Sequence, residues 1–245
     1  MFYFFKQKKP FLKDLVQEFT DIHSHVLFGI DDGAKTLEDS KVLLKSFIEL
    51  GFEGAITTPH ILKDVWDNNS QNITSKYTEV QQLLPELSAK INLRVASEYL
   101  MDESFARLFE TEKLLTLKDN YVLVEMSYLN PPIQLYDIIF DLQVAGYKPV
   151  LAHPERYLFY HQNFEEYKKL KVAGCLFQMN LLSTMGYYGA NITKVADKLL
   201  AEGLIDFAGS DVHHLHHIRA FDDKVKIKNT EALRDVIKNN NFFAD

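Results

Sequence analysis

Residues 21–33 of the chain, DIHSHVLFGIDDG, contain two histidines and two aspartates within a short segment. His23 and His25 are one residue apart after a strand-like run, and side chains at positions i and i+2 of a strand point to the same face. The two imidazoles can therefore bind a single metal ion. Spacing alone allows either Asp31 or Asp32 to add a carboxylate ligand.

Further side chains that can bind metals lie at the ends of other predicted strands. His60 follows GAITTP, Glu98 follows NLRVAS, and His153 stands in LAHPE. Asp211 and His213 form a second pair with i, i+2 spacing in GSDVH. A single histidine at a strand end is more often a hydrogen-bonded structural residue than a ligand. Because the potential ligands recur at separate strand ends, the combined set predicts a metal centre.

The eight side chains in this set are too many for one ion. A structural zinc site uses about four protein ligands and a catalytic zinc site about three. The set therefore predicts at least two ions, or three if Glu98 bridges. Imidazole and carboxylate ligands together suit Zn²⁺, Mn²⁺ or Fe²⁺. Such a centre activates bound water and stabilises attacking and leaving oxygens, so it predicts hydrolysis, most commonly of phosphoesters.

Two arginines are candidates for contact with a phosphate group. Arg156 lies three residues after His153 in AHPERY, and Arg219 follows the last ligand pair in HHIRAF. A guanidinium can donate two parallel hydrogen bonds to phosphate oxygens. The alternative for each arginine is a surface ion pair.

Short apolar runs alternate with longer amphipathic segments, as in proteins built from βα units. We predict strands at 19–25, 54–60, 92–98, 121–127, 149–155, 175–180 and 205–211, and helices at 37–50, 72–89, 132–145, 164–172, 192–202 and 230–239. Seven strands in one domain of this length indicate a closed or nearly closed parallel barrel, with a doubly wound sheet as the alternative. In such barrels the active site lies at the carboxyl ends of the strands, where all the candidate ligands fall.

The composition limits the class of protein. Of the 245 residues, 47% are hydrophobic and 25% are charged, which is typical of a globular chain that can bury a sizeable core. The net charge of −7 argues against nucleic acid or an anionic membrane as the main partner. No apolar stretch reaches the roughly 20 residues of a membrane helix, and MFYFFKQKKP does not have the order of a secretory signal. We expect a cytoplasmic protein.

The single cysteine does not fit a cysteine-dependent tyrosine phosphatase. Those enzymes have an arginine six positions after the nucleophile, whereas Leu181 stands six positions after Cys175. Cys175 also begins an apolar strand. We expect it to be a core residue.

Taken together, HSH, DDG, TTPH, AHPER and SDVH resemble the polymerase-and-histidinol-phosphatase (PHP) superfamily. Within it, DIHSHVLFGIDDGAKTLEDS, LAHPERY, QMNLLSTMGYYG and FAGSDVHH resemble the manganese-dependent protein-tyrosine phosphatases of bacterial capsule and exopolysaccharide operons. The similarity runs from about residue 20 to about residue 220. It implies a distorted seven-stranded (β/α)7 TIM-like barrel as a single domain at 19–245, after an N-terminal arm at 1–18.

The resemblance also implies roles for individual residues. Two or three ions, most often Mn²⁺ with Fe²⁺ or Zn²⁺ as alternatives, would be bound by His23, His25, Asp32, His60, Glu98, His153, Asp211 and His213. The family pattern places the aspartate ligand at the second residue of the pair, which favours Asp32 over Asp31. Arg156 would hold the phosphate, and Arg219 falls where the family often has a second basic contact.

In that family a metal-bridging hydroxide attacks phosphotyrosine, and the usual substrate is the tyrosine-rich tail of a polysaccharide co-polymerase kinase. The alternative from the same fold is a small-molecule phosphatase of the histidinol-phosphate type, which would use the same metal centre. We expect the loop 185–191, MGYYGAN, to shape a pocket that accepts an aromatic group. A nuclease is disfavoured by the negative charge, and a non-catalytic metal-binding protein by the complete ligand set with Arg156.

Overall fold

In a computed structural model the described residues, 8–244, form parallel strands that alternate with helices. The strands in this range are β1 (Phe19–Asp21), β2 (Phe52–Thr57), β3 (His60–Ile61), β4 (Leu93–Val95), β5 (Glu98–Leu100), β6 (Tyr121–Glu125), β7 (Lys148–Ala152), β8 (Leu176–Asn180) and β9 (Phe207–Gly209). The helices are α1 (Leu37–Glu49), α2 (Ser70–Leu83), α3 (Pro85–Lys90), α4 (Glu103–Thr111), α5 (Leu135–Val144), α6 (Glu165–Val172), α7 (Ala190–Ala201), α8 (Leu215–Ala220) and α9 (Thr230–Asn239). Short 3-10 helices lie at Leu12–Asp14, Pro154–Arg156, Leu158–Tyr160, Leu181–Met185 and Asn240–Phe243.

The strands form two sheets in which all neighbours are parallel. One sheet has the order β1-β2-β4 and the other the order β3-β5-β6-β7-β8-β9. Only Thr58 and Pro59 separate β2 from β3, and only Ala96 and Ser97 separate β4 from β5. Two of the predicted strands are therefore interrupted and pass from one sheet to the other. The predicted α/β class with parallel strands is confirmed.

Helix ends follow local chemistry. The hydroxyl of Thr36 accepts a hydrogen bond from the Asp39 N–H and the Asp39 carboxylate accepts one from the Thr36 N–H, a capping box that begins α1. Four helices are followed within two residues by a glycine with positive φ, namely Gly51, Gly146, Gly174 and Gly203. The predicted helix at 72–89 is divided at Pro85, which has no N–H to continue α2. Within residues 8–244, no helix is long and apolar enough to cross a membrane.

Strands β1 and β9 meet along a junction that we call the β1–β9 seam. One backbone bridge joins Ser24 to Val212 just beyond the two strands. Farther back, the buried amide of Asn240 donates to the carbonyl oxygens of Thr20 and Ala208, at 2.8 and 2.7 Å. The same amide accepts a hydrogen bond from the Ala208 N–H at 3.0 Å. The Asn240 side chain thus bonds to backbone groups of β1 and β9 that would bond to each other if the two strands were paired directly at this point.

The seam is also tied near its carboxyl end. The carboxylate of Asp21 accepts hydrogen bonds from the N–H and hydroxyl of Ser210, at 2.8 and 2.5 Å. The Asp211 N–H donates to the His23 carbonyl at 2.7 Å. A Cβ atom on Gly209 would lie 2.7 Å from the His23 Cβ, so only glycine fits this close approach. The seam thereby fixes the first and last predicted ligand pairs relative to one another.

A small apolar cluster joins the two sheets around the side chain of Phe243. Its members come from strands of both sheets and from segments outside the strands: Ile22, Ile56, Ala96, Leu117, Leu123, Val150, Ala152 and Phe243. Phe243 is fully buried, whereas the adjacent Phe242 is 42% exposed. A larger core contains apolar residues from the helices as well as the strands.

The described part of the predicted N-terminal arm, 8–18, packs on the segment 221–227. The Leu12 N–H donates to the Asp223 carbonyl and the Val225 N–H donates to the Pro10 carbonyl, both at 3.0 Å. Leu12 and Val16 are fully buried. The rest of the arm, 1–7, lies outside the described residues.

Candidate metal centre

All eight predicted ligand side chains meet at the carboxyl-end side of the strands. His23 and His25 follow β1, and Asp32 lies in the loop before α1. His60 and Glu98 are the first residues of β3 and β5, directly after the two strand interruptions. His153 follows β7, and Asp211 and His213 follow β9. Four overlapping groups of three or four side chains place their donor atoms within 4.8 Å of one another. The structure therefore brings the whole predicted set together.

Glu98 lies at the centre of this cluster and is fully buried. Its Oε2 is 3.0 Å from His23 Nε2, 3.4 Å from His25 Nε2 and 3.3 Å from His60 Nδ1. Its Oε1 is 3.1 Å from His153 Nε2. Burial would raise the pKa of Glu98, but the nearby histidines outweigh it and hold that pKa well below its ordinary value. Both oxygens of one carboxylate thus face donor nitrogens, as expected for a ligand shared between ions.

Two histidines are oriented by side chains behind them. The Nδ1 of His25 lies 2.8 Å from Asp31 Oδ2, and the Nδ1 of His23 lies 2.8 Å from Gln178 Oε1. The Gln178 amide is itself fixed because its Nε2 donates to the Met179 carbonyl at 2.7 Å. Carboxylate and amide oxygens only accept, so the imidazole protons belong on Nδ1. Each Nε2 is then left as a free donor atom for a metal.

Asp31 and Asp32 have separate positions. Asp31 is buried behind His25, whereas the side chain of Asp32 is 50% exposed at the edge of the cluster. Its Oδ1 is 3.5 Å from His60 Nε2 and 3.3 Å from His213 Nε2. This geometry supports Asp32 as the ligand and gives Asp31 the task of orienting His25.

The donor set fits divalent cations. The Nδ1 of His60 is buried without a hydrogen bond, although Glu125 Oε1 lies 3.0 Å away. The Nε2 atoms of His23 and His25 face one another at 3.3 Å, where two lone pairs cannot bond to each other. Ligand atoms around a tetrahedral ion with bonds of about 2.1 Å lie about 3.4 Å apart. The spacing within the cluster is therefore the spacing that shared cations require.

Glu125 is a potential ligand that the sequence analysis did not assign. It ends β6, is buried, and forms one of the four donor groups together with His60 and Glu98. The signal was present in YVLVEMS, because Glu125 lies near the carboxyl end of the strand predicted at 121–127, where the other candidate ligands also fall in their strands.

Arg156 lies beside the cluster and is in contact with two tyrosine rings. Its Nη1 donates to Asp211 Oδ2 at 2.7 Å. Its guanidinium carbon is 4.9 Å from the ring centroid of Tyr128 and 4.2 Å from that of Tyr188. Burial would lower the pKa of Arg156, but Tyr128 and Asp211 outweigh it and raise that pKa above its ordinary value. Arg156 is therefore a permanent cation next to the candidate metal ligands.

A cavity of about 270 Å³ opens over these groups. Its lining comprises candidate ligands, one cation and two tyrosines, together with two further histidines: Asp32, His60, Glu98, Glu125, Tyr128, His153, Arg156, Tyr188, Asp211, His213, His214 and His217. Tyr188 belongs to the loop 185–191, which the sequence predicts to shape a pocket that accepts an aromatic group. The cavity thus combines acidic and imidazole donors with a guanidinium and aromatic surface.

Arg219 does not reach this cavity. It is exposed on α8 and is absent from the cavity lining. The reason is the orientation of α8, which buries His217 and Ala220 and so turns the intervening position 219 towards solvent. The predicted phosphate contact of Arg219 is therefore not part of the function proposed below.

Cys175 lies in the core, as expected. Its side chain is 1% exposed, and burial raises the pKa of the thiol to about 12. A thiol with this pKa is not ionised near neutral pH and cannot act as a nucleophile.

The fold and site define a class of protein: an α/β domain of parallel strands whose carboxyl ends carry histidines and carboxylates arranged for more than one metal ion. The family model for capsular polysaccharide synthesis proteins CpsB/CapC matches residues 19–233. The chain belongs to the CpsB/CapC family.

Named relatives agree with this assignment. The chain is 28% identical over 201 residues to the tyrosine-protein phosphatase CpsB of Streptococcus pneumoniae, covering 80% of this chain and 83% of the relative. A solved structure from work on YwqE of Bacillus subtilis and CpsB of Streptococcus pneumoniae, described as metal-dependent tyrosine phosphatases, matches with a TM-score of 0.76 and 26% identity over 92% of this chain and 88% of that one. A histidinol phosphate phosphatase from Lactococcus lactis matches with a TM-score of 0.54 and 15% identity over 91% of this chain and 94% of that one, which shows a shared fold.

Proposed function

We propose that this protein is a metal-dependent protein-tyrosine phosphatase. The observation that carries the proposal is the meeting of the eight predicted ligands in one cluster, six of which line a cavity together with Arg156. Membership in the CpsB/CapC family and the named activity of CpsB support the choice of phosphotyrosine. The aromatic surface of Tyr128 and Tyr188 beside Arg156 suits a substrate that presents a phosphate on an aromatic ring.

Each group in the cavity has a role in this proposal. Two or three ions, Mn²⁺ by preference and Fe²⁺ or Zn²⁺ as alternatives, would supply positive charge for the phosphate and a water activated for attack. The eight predicted ligands would hold the ions, and Glu125 offers a further donor. Asp31 and Gln178 keep His25 and His23 in the metal-binding tautomer. Arg156 donates its remaining N–H groups to phosphate oxygens.

The finer parts of the proposal concern the substrate and the architecture. We infer that the phosphotyrosine lies on the tail of a bacterial tyrosine kinase that controls capsular or exopolysaccharide synthesis, in the cytoplasm. We also infer that the two sheets act as one distorted seven-stranded barrel at 19–245. The breaks after β2 and β4 divide continuous strands, and the β1–β9 seam joins the outer edges.

The test measures metal content and phosphatase activity together. Purified protein is treated with a chelator, assayed on a phosphotyrosine peptide and on histidinol phosphate, and then reloaded with Mn²⁺ with elemental analysis at each stage. We expect chelation to abolish hydrolysis of the peptide, Mn²⁺ to restore it, and histidinol phosphate to be the poorer substrate. Preferred turnover of histidinol phosphate would favour the alternative function instead.

A pair of histidine variants tests the site itself. His60→Ala removes a buried donor from the cluster, so we expect a loss of activity of at least about a hundredfold in a protein that remains folded. The matched control is His216→Ala, because His216 is exposed and does not line the cavity. Wild-type turnover by His60→Ala would show that the metal centre has been assigned wrongly.

A further inference from the structure

The guanidinium of Arg156 is held by contacts with three side chains rather than by a single ion pair. Tyr128 follows β6 and Tyr188 precedes α7, so the two rings come from separate elements. No ring contact joins these two tyrosines among the described aromatic pairs, so Arg156 makes two separate ring contacts. Asp211 provides the third contact, because its Oδ2 accepts a hydrogen bond from Arg156 Nη1.

The two rings are themselves held in place. Tyr128 stacks on His153 with ring centroids 5.7 Å apart and an interplanar angle of 23°. The amide of Asn180 donates to the Tyr188 hydroxyl at 3.2 Å and to Asp211 Oδ2 at 2.8 Å. Asn180 therefore links Tyr188 to the carboxylate that binds Arg156. Each tyrosine thus has a contact besides the one with the guanidinium.

We propose that Tyr128 and Tyr188 are positioning residues that hold the Arg156 guanidinium with its free N–H groups towards the bound phosphate. A guanidinium has five N–H donors, and among the described residues the Arg156 side chain uses one of them, in its hydrogen bond to Asp211. The side chain of Arg156 is 19% exposed and lines the cavity, so the other donors are available to a ligand. Contact with the aromatic rings restricts rotation of the planar guanidinium. The guanidinium is therefore already oriented in the free protein, and binding of phosphate costs less conformational entropy.

This inference rests on the proposed function, and it differs from a direct contact between the tyrosines and the substrate ring. If the tyrosines act through Arg156, their removal weakens binding of inorganic phosphate, which has no ring. If they only contact an aromatic substrate, phosphate binding stays the same and the Michaelis constant of the peptide rises. Inorganic phosphate is therefore the informative probe.

The first experiment uses Mn²⁺-loaded protein and measures phosphate affinity by calorimetry and kcat and KM on a phosphotyrosine peptide. We expect Tyr128→Leu and Tyr188→Leu each to weaken phosphate binding about tenfold and to lower kcat/KM similarly, as loss of a partly desolvated cation–π contact would do. The conservative Tyr128→Phe and Tyr188→Phe keep the ring and should stay within about threefold. Tyr136→Leu, an exposed tyrosine on α5, is the control and should change neither value.

The second experiment is a double-mutant cycle with Arg156→Ala. In that background we expect Tyr128→Leu and Tyr188→Leu to change phosphate affinity by less than about twofold, because the group they position is gone. Effects as large as in the wild-type background would overturn the inference, as would unchanged phosphate binding in both single leucine variants. Thermal unfolding of each variant shows whether a loss of phosphate affinity reflects misfolding. If a leucine variant does not fold, the phosphate affinity of the corresponding phenylalanine variant is compared with that of the wild type instead.

The two proposals fail in different ways. A wild-type protein that binds phosphate but hydrolyses no phosphotyrosine peptide would contradict the proposed function. The positioning role would still be decided by the phosphate affinities of the variants, since calorimetry requires no turnover.

Discussion

Asp31 illustrates how a residue outside the ligand set can control the cluster. It is buried, its Oδ2 lies 2.8 Å from His25 Nδ1, and its Oδ1 accepts the Gly33 N–H at 2.9 Å. The carboxylate fixes both the ring orientation and the tautomer of His25. Loss of such a partner typically costs 10- to 100-fold in metal affinity, roughly, without removing any ligand.

We therefore predict that Asp31→Ala weakens Mn²⁺ binding by about 10- to 100-fold while the fold is retained. The physical reason is that His25 then exchanges tautomers and orientations that cannot bind the ion. Calorimetric titration of metal-free protein with Mn²⁺ measures the change. Asp137→Ala, at an exposed position of α5, serves as control, and equal affinities for the two variants would contradict the role of Asp31.

For individual residues, the sequence predicted where the potential ligands lie better than it predicted which of them bind metal and which orient a ligand. The i, i+2 pairs and the strand-end histidines were visible because strand periodicity fixes where such side chains point. Spacing could not separate Asp31 from Asp32, because the loop that holds them has no periodicity. Arg219 was assigned to the site since it follows the last ligand pair, but α8 turns it outward.

The strands bring residues that are distant in sequence so close together that one position has no room for a side chain. Gly209 on β9 would, with a Cβ atom, approach the Gln178 Nε2 to 2.6 Å and the His23 Cβ to 2.7 Å. These two side chains form the pair that sets the tautomer of His23. The absence of a side chain at position 209 is therefore a requirement of the metal centre as much as of the sheet.

We predict that Gly209→Ala destabilises the protein by about 1–3 kcal/mol through overpacking and also weakens Mn²⁺ binding by displacing His23. Chemical denaturation and a metal titration measure the two effects. Gly54→Ala on β2 is the matched control, because the nearest atoms to its Cβ would belong to the Thr20 side chain, at 3.3 Å or more. A Gly209→Ala protein as stable and as metal-competent as Gly54→Ala would remove the steric argument.

The order of elements was predictable because βα periodicity and glycines at helix ends mark each transition. Two helices were missed. In α4 the amphipathic pattern is only nine residues long, and α8 is six residues long and rich in histidine. The breaks after β2 and β4 were also missed, since the pairing of each half with a different neighbour is decided by tertiary contacts rather than by local sequence.

The whole molecule is joined by residues near the C-terminal end of the described chain. Phe243 fills the apolar cluster between the sheets, and Asn240 bridges the β1–β9 seam. The adjacent Phe242 is 42% exposed, so the pair offers a comparison of buried and exposed aromatic rings one position apart.

We predict that Phe243→Ala lowers the free energy of unfolding by about 3–5 kcal/mol, as expected when a buried ring leaves a cavity. Phe242→Ala should cost clearly less, because much of its surface is already in water. Equilibrium denaturation with urea measures both values. Equal losses for the two variants would show that Phe243 does not join the sheets.

The β1–β9 seam has a consequence for the order of events in biosynthesis. The Asn240 amide bonds the Thr20 carbonyl across 220 positions of sequence, so β1 leaves the ribosome long before its partner exists. His23 and Asp211, on the two sides of the seam, cannot be neighbours on a nascent chain that has not yet exposed β9. The complete set of candidate ligands can therefore assemble only after β9 and the residues that follow it have been synthesised.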